Sequence, residues 1–153
     1  MNQSMKKFSL RSCFLFASAL LTLIGLIFLL IANHGAYPLA GFGWILALSI
    51  LSILFALAVP FAEKLKRNPI LIDLGTWLSL LCVATALAIS IYGRAELMGF
   101  VWFSNLMSGN KVARTALNLA LVGWIFDLLS SLLLIVSSAL SEKKAEVKAK
   151  TNI

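Results

Sequence analysis

Asp127 stands near the middle of a long apolar stretch, with Ser130 and Ser131 one helical turn further along. An ionised carboxylate at the centre of a bilayer costs about 2.5–3.5 kcal/mol on insertion scales. Such a group has to be uncharged, hydrogen-bonded to hydroxyls, or turned to a polar cavity. Two uses follow. The carboxyl, with Ser130 and Ser131 beside it, is either a proton- or substrate-linked transport site or an acid that ties helices together through serine and threonine. Asp73 is the other carboxylate in an apolar run. It falls in a first helical turn, where it favours the positive helix N-terminus and is within reach of Lys66 or Arg67. A rise of about 1.5 Å per residue sets it roughly 15 Å in depth from Asp127, so the two are no catalytic dyad.

Other reactive residues are few. His34 is the only histidine, which excludes a histidine metal cluster, and Cys13 and Cys82 form no CxxC pair. No nucleophile–base pair, metal-ligand cluster or glycine-rich phosphate loop is present, so the residues point to no catalytic site, cofactor or metal. Cys13 beside a basic stretch is a candidate S-palmitoylation site, and an unmodified helix-start cysteine fits it equally well.

The elements that must position these residues are four nearly uncharged runs, at about 13–32, 44–62, 70–92 and 112–140. About 20 apolar residues cross a hydrocarbon core of about 30 Å. Hydrophobic residues make up 61% of the 153-residue chain and charged residues 12%, against about 25% charged in soluble domains. The expectation is an all-α fold: a bundle of four transmembrane helices with short loops over 13–140, flanked by an N-terminal segment 1–12 and a tail 141–153.

The net charge of +7 is spread in clusters that flank the spans, not gathered on one surface that could read nucleic acid. Counting alternate sides puts ten basic residues (Lys6, Lys7, Arg11, Lys64, Lys66, Arg67, Lys143, Lys144, Lys148, Lys150) against Arg94, Lys111 and Arg114. The positive-inside rule then places both termini in the cytoplasm. A plasma-membrane or secretory-pathway protein fits this, with membrane lipids as partners and anionic headgroups favoured near the clusters. The first apolar stretch, roughly 19 residues, exceeds a signal-peptide core and reads as a retained helix.

The connection 33–43 carries Gly35, Pro38, Gly41 and Gly43 and should turn tightly. Asn68 is placed to cap the third helix and Pro69 to open it. The stretch 93–111 is too apolar for a solvated loop and is expected to lie along the outer leaflet. The tail 141–153 can extend the fourth helix briefly and is expected to be frayed and charged, not docked.

Small residues recur at helical spacing: Ser49, Ser52, Ala56 and Pro60 on the second helix, and Gly75, Ser79, Cys82, Ala86 and Ser90 on the third. On the fourth, Gly123, Asp127, Ser130, Ser131, Leu134 and Ser138 line one side. Membrane helices associate by close contact at such residues. Gly75, Ser79, Ala86 and Gly123 are thus candidate packing positions, within one chain, in a homo-oligomer or against another membrane protein. Tyr92, Arg94 and Trp102 are candidate lipid contacts, with Tyr92 and Arg94 as interface anchors. Leu87, Tyr92 and Arg94 also match a short cholesterol-contact consensus, a weak pattern.

These features together resemble the MARVEL-type family: a basic start, four helices with both ends cytoplasmic, a tight first loop and a longer second outer loop. Asp73 followed by Trp77 after Pro69 resembles the acidic-then-tryptophan start of the third helix in fungal members. Lys111, Arg114 and Asn118 through Gly123 and Trp124 resemble the small-residue entry and tryptophan-bearing middle of their fourth. The resemblance implies a non-enzymatic multi-pass protein of lipid-domain organisation, trafficking or membrane apposition, with no catalytic residues. The alternative is a small oligomeric transporter or proton-linked carrier built on Asp127.

Overall fold

The computed structural model describes residues 9–65, 68–104, 106–107 and 109–151, with 141–151 described by their backbone alone. The expected bundle is present, and its four helices are long and apolar enough to cross a membrane. They mark an integral membrane protein. Lys6, Lys7, Lys66 and Arg67, and the side chains of Lys143, Lys144, Lys148 and Lys150, lie outside the described residues.

Helix α1 spans Leu10–Asn33 and begins at Ser9, whose hydroxyl accepts from the Ser12 N–H. Its 24 residues rise about 36 Å, enough to cross the hydrocarbon core. The chain reverses through a loop in which Asn33 Oδ1 accepts the Leu39 N–H. Gly41 takes φ 79°, a left-handed conformation that suits glycine, and α2 follows over Phe42–Lys64. Helix α3 spans Pro69–Met98, with Asn68 as its cap: the Asn68 Oδ1 accepts from the Ile70 N–H at 3.2 Å. Helix α4 covers Lys111–Thr151, so the backbone of the tail continues as helix through residue 151, where fraying was expected.

Helix α3 also departs from expectation. It does not stop at Tyr92 but continues to Met98 and then loosens into a π-helical turn over Gly99–Phe103. Gly93 is no helix terminator here. A Cβ on it would stand 2.6 Å from Leu39 Cδ1, so its bare backbone accommodates the first loop. Beyond it, Val101 is buried with Ala113 and Leu117 of α4, and Tyr37, Leu97, Met98 and Met107 pack around them. The apolar segment folds over the end of the bundle, while Trp102, Phe103 and Leu106 remain exposed.

The helices form a ring in which each touches its chain neighbours and α1 closes against α4, the most extensive pairing. Two apolar layers fill it. Leu15, Ala19, Ala56, Val59, Ile72, Val83 and Leu134 make one. Leu29, Ala32, Ile45, Ala86, Leu87, Ala120 and Trp124 make the other. Outward-facing leucines, isoleucines and tryptophans such as Leu20, Ile27, Leu54, Trp77, Leu81 and Leu132 cover the perimeter, which suits hydrocarbon and not water.

Candidate intramembrane polar site

Asp127 sits on the α1–α4 seam, only 1% exposed. It is there because two glycines face each other. A Cβ built on Gly25 would lie 2.7 Å from Asp127 Oδ1 and 3.0 Å from the Gly123 carbonyl oxygen; one built on Gly123 would lie 2.9 Å from Leu29 Cγ and 3.0 Å from the Gly25 carbonyl oxygen. Backbone meets backbone, and the carboxyl rests on the Gly25 face of α1. Phe28 and Phe126 stack on the same seam, with centroids 5.9 Å apart and planes 6° from parallel.

The three side chains singled out in α4 do not act together. Ser130 reaches across to α1, donating to the Ser18 carbonyl oxygen at 3.0 Å and sharing a 2.7 Å bond with Thr22 Oγ1. With the Ser130 proton committed to Ser18, Thr22 is the donor to Ser130 Oγ. Ser131 instead turns back on its own helix, its hydroxyl donating to the Asp127 carbonyl oxygen at 2.9 Å. Neither serine touches the carboxyl, and both carboxyl oxygens lack a hydrogen-bond partner among the described residues. The missed element is the α1 stripe Ser18, Thr22, Gly25, Leu29 and Ala32, all buried. Its spacing of four, three, four and three residues is the same kind of signal that marked α2 and α3.

The second seam joins α2 to α3. Ser52 and Ser79 exchange hydrogen bonds, each hydroxyl donating to the other's carbonyl oxygen at 2.9 Å. Gly75 sits beside them: a Cβ there would stand 2.8 Å from Val59 Cγ2. Ala86 is buried in the apolar layer that contains Trp124, whose indole N–H donates to Ser90 Oγ at 2.8 Å and ties α4 to α3. On α4 it is Ser137, more than Ser138, that points fully inward.

A charged cluster closes the end where α1 begins. Arg11, 9% exposed, pairs with Asp73 at 2.9 Å and Glu63 at 3.1 Å, and donates to Thr76 Oγ1 at 3.0 Å. Asp73 on α3 binds Arg11 on α1; the expected reach to Lys66 or Arg67 lies outside the described residues. Three helices are thereby pinned at one point.

The lipid-contact residues divide. Tyr92 is 85% exposed and Trp102 partly so. Arg94 is corrected: it is buried and not an exposed interface anchor, because the extension of α3 past Gly93 turns it under the first loop. Leu87 is buried as well, so Leu87, Tyr92 and Arg94 present no common lipid face. Cys13 is exposed and Cys82 buried. Among the described residues no group of three His, Cys, Asp or Glu side chains is placed to hold a metal.

Among the described residues, Asp127 lines none of the cavities beside Arg94, Leu134, His34 and Ala116. What the α1–α4 arrangement does chemically is restricted by this: the carboxyl is held against a neighbouring backbone, away from any of these openings. Comparison with protein-family models, with curated proteins and with solved structures finds no match to this chain.

Proposed function

We propose that the chain is a non-enzymatic multi-pass membrane protein, both termini cytoplasmic, that organises lipids and protein neighbours in a plasma or secretory-pathway membrane. The single observation that carries this reading is the enclosure of Asp127: its carboxyl packs on Gly25, in a seam so close that a methyl group would not fit. A transport residue needs an approach for its cargo, and the acid here lies against backbone. The apolar perimeter supports the same reading, since it leaves exposed bilayer-compatible faces on all four helices. The MARVEL-type resemblance agrees with it.

A second reading has its own observation. Both Asp127 oxygens are buried without a partner among the described residues, and buried unsatisfied polar atoms in native proteins are uncommon. A small oligomeric carrier that loads a proton or cargo on this acid would give such atoms a use. Proton and ion flux into liposomes containing the wild-type protein or Asp127→Asn separates the two. The organising role predicts no flux above empty vesicles for either. Flux that Asp127→Asn abolishes would overturn it and establish the carrier.

A further inference from the structure

Arg94 is the least expected residue at the end of the bundle that bears the first and third connections. A guanidinium stays charged throughout the physiological range, yet Arg94 is only 2% exposed. Among the described residues no side chain or carbonyl hydrogen-bonds or ion-pairs with it. A charge this enclosed is strongly disfavoured unless it is paired, and its nitrogens are not among the sealed, unpartnered polar atoms of the fold, so they open to where an anion from outside the chain can reach them.

The space for one adjoins it. Arg94 lines a cavity of about 260 Å³ whose walls include Tyr37, Leu39, Glu96, Leu97 and Phe100. The first loop, the end of α3 and the π-helical turn thus each contribute a wall. The loop wall is braced, for Tyr37 Oη accepts from Asn110 Nδ2 at 2.7 Å, and Leu39 rests on the bare backbone of Gly93. Tyr92 and Phe103, both more than four-fifths exposed, stand at the same end of the bundle. Exposed aromatic rings of this kind sit at headgroup depth. Glu96, exposed, supplies a single negative charge to the lining.

We propose that this cavity binds the headgroup of a zwitterionic phospholipid, its phosphate on Arg94 and its ammonium on Glu96. Leu39, Leu97 and Phe100 offer apolar contact to the adjoining part of the lipid. A headgroup with a phosphate and no cation would satisfy Arg94 but oppose Glu96. The inference rests on the membrane-organising reading and names its lipid class.

Native mass spectrometry of the full chain, with phosphatidylethanolamine and phosphatidylglycerol competing, tests it. Wild type should retain phosphatidylethanolamine in preference. Arg94→Gln should weaken retention at least about tenfold, the equivalent of one charge-assisted hydrogen bond. Glu96 is exposed, so Glu96→Gln leaves the fold intact and decides the matter should Arg94→Gln fail to fold; it should reduce the preference several-fold. Equal retention of the two lipids by wild type, or a preference that survives Glu96→Gln, overturns the proposal. Soluble glycerophosphoethanolamine is the second arm: binding as tight as that of the lipid would assign the cavity to a soluble zwitterion and overturn the lipid source. Flux is read separately, so Asp127-dependent flux would end the organising reading while leaving lipid selectivity to be judged by itself.

Discussion

Replacing Gly25 with alanine would put a methyl group 2.7 Å from Asp127 Oδ1 and 3.0 Å from the carbonyl oxygen of Gly123. The carboxyl can rotate away. The carbonyl cannot, because it belongs to the α4 backbone, so α1 and α4 must separate by a few tenths of an ångström at their closest point. Overpacking of this size costs about 1–3 kcal/mol. Alanine also gains about 1 kcal/mol over glycine in a helix interior, which lowers the net loss to about 0–2 kcal/mol. Gly43→Ala is the matched control, since Gly43 lies in α2 with nothing within 4 Å of its would-be Cβ; it should be neutral or up to about 1 kcal/mol stabilising. Unfolding of the detergent-solubilised protein by denaturant, followed by circular dichroism, should therefore place Gly25→Ala below Gly43→Ala by up to about 3 kcal/mol. Adding Asp127→Ala removes one of the two clashes, so Gly25→Ala should cost less in that background, with a coupling of about 0.5–3 kcal/mol. If Gly25→Ala is as stable as Gly43→Ala, the tight α1–α4 seam and the argument for an enclosed Asp127 both fail.

Arg11→Met removes the guanidinium that bridges Glu63 and Asp73. A fully buried pair broken this way loses about 3–5 kcal/mol, but Asp73 is 43% and Glu63 24% exposed, so about 1–3 kcal/mol is expected in the same unfolding assay. Combining Arg11→Met with Glu63→Gln and Asp73→Asn should recover most of it, and no recovery would show that the carboxylates are not the cause. Ser52→Ala and Ser79→Ala each remove one hydroxyl-to-carbonyl bond across the α2–α3 seam and should each cost about 0.6 kcal/mol, not above about 1.7; no loss from either would contradict the reciprocal hydrogen bonds. A membrane-impermeant maleimide should label exposed Cys13 and spare buried Cys82, and only from the cytoplasmic face in sealed cells or vesicles of known orientation. Labelling of Cys13 from the opposite face would reverse the assigned topology.

The spans were legible because length and apolarity are decisive signals, and because Asn68 and Pro69 together announce a helix start. The rotation of each helix was not. In a bilayer the interior and the exterior of the bundle are both apolar, so α4 carries little of the one-sided pattern that reveals the buried face of a soluble helix. That is why Ser130 and Ser131 looked like equals beside Asp127, although one crosses to α1 and the other bonds its own backbone. Gly25 was unread for a related reason: a glycine inside an apolar run carries no chemistry until its neighbour is known. The Arg11–Asp73 pair spans 62 residues, a separation that local charge spacing does not reveal. The third connection was expected to begin at about Gly93, whereas α3 runs on to Met98 and Gly93 serves close approach to Leu39.

Closure of the ring by α1 and α4 also sets the order in which the protein can be completed. Ser18 and Thr22 find Ser130 only 112 and 108 residues later in the chain. While α2 and α3 are being synthesised, the hydroxyl stripe and Gly25 groove of α1 have no partner from the chain's own fourth helix. An incomplete product of this kind carries unpaired polar groups inside the bilayer, and such intermediates are what membrane quality control retains and degrades. A substitution in the seam therefore acts on the nascent protein as well as the finished one, and cellular abundance should register it before any activity does.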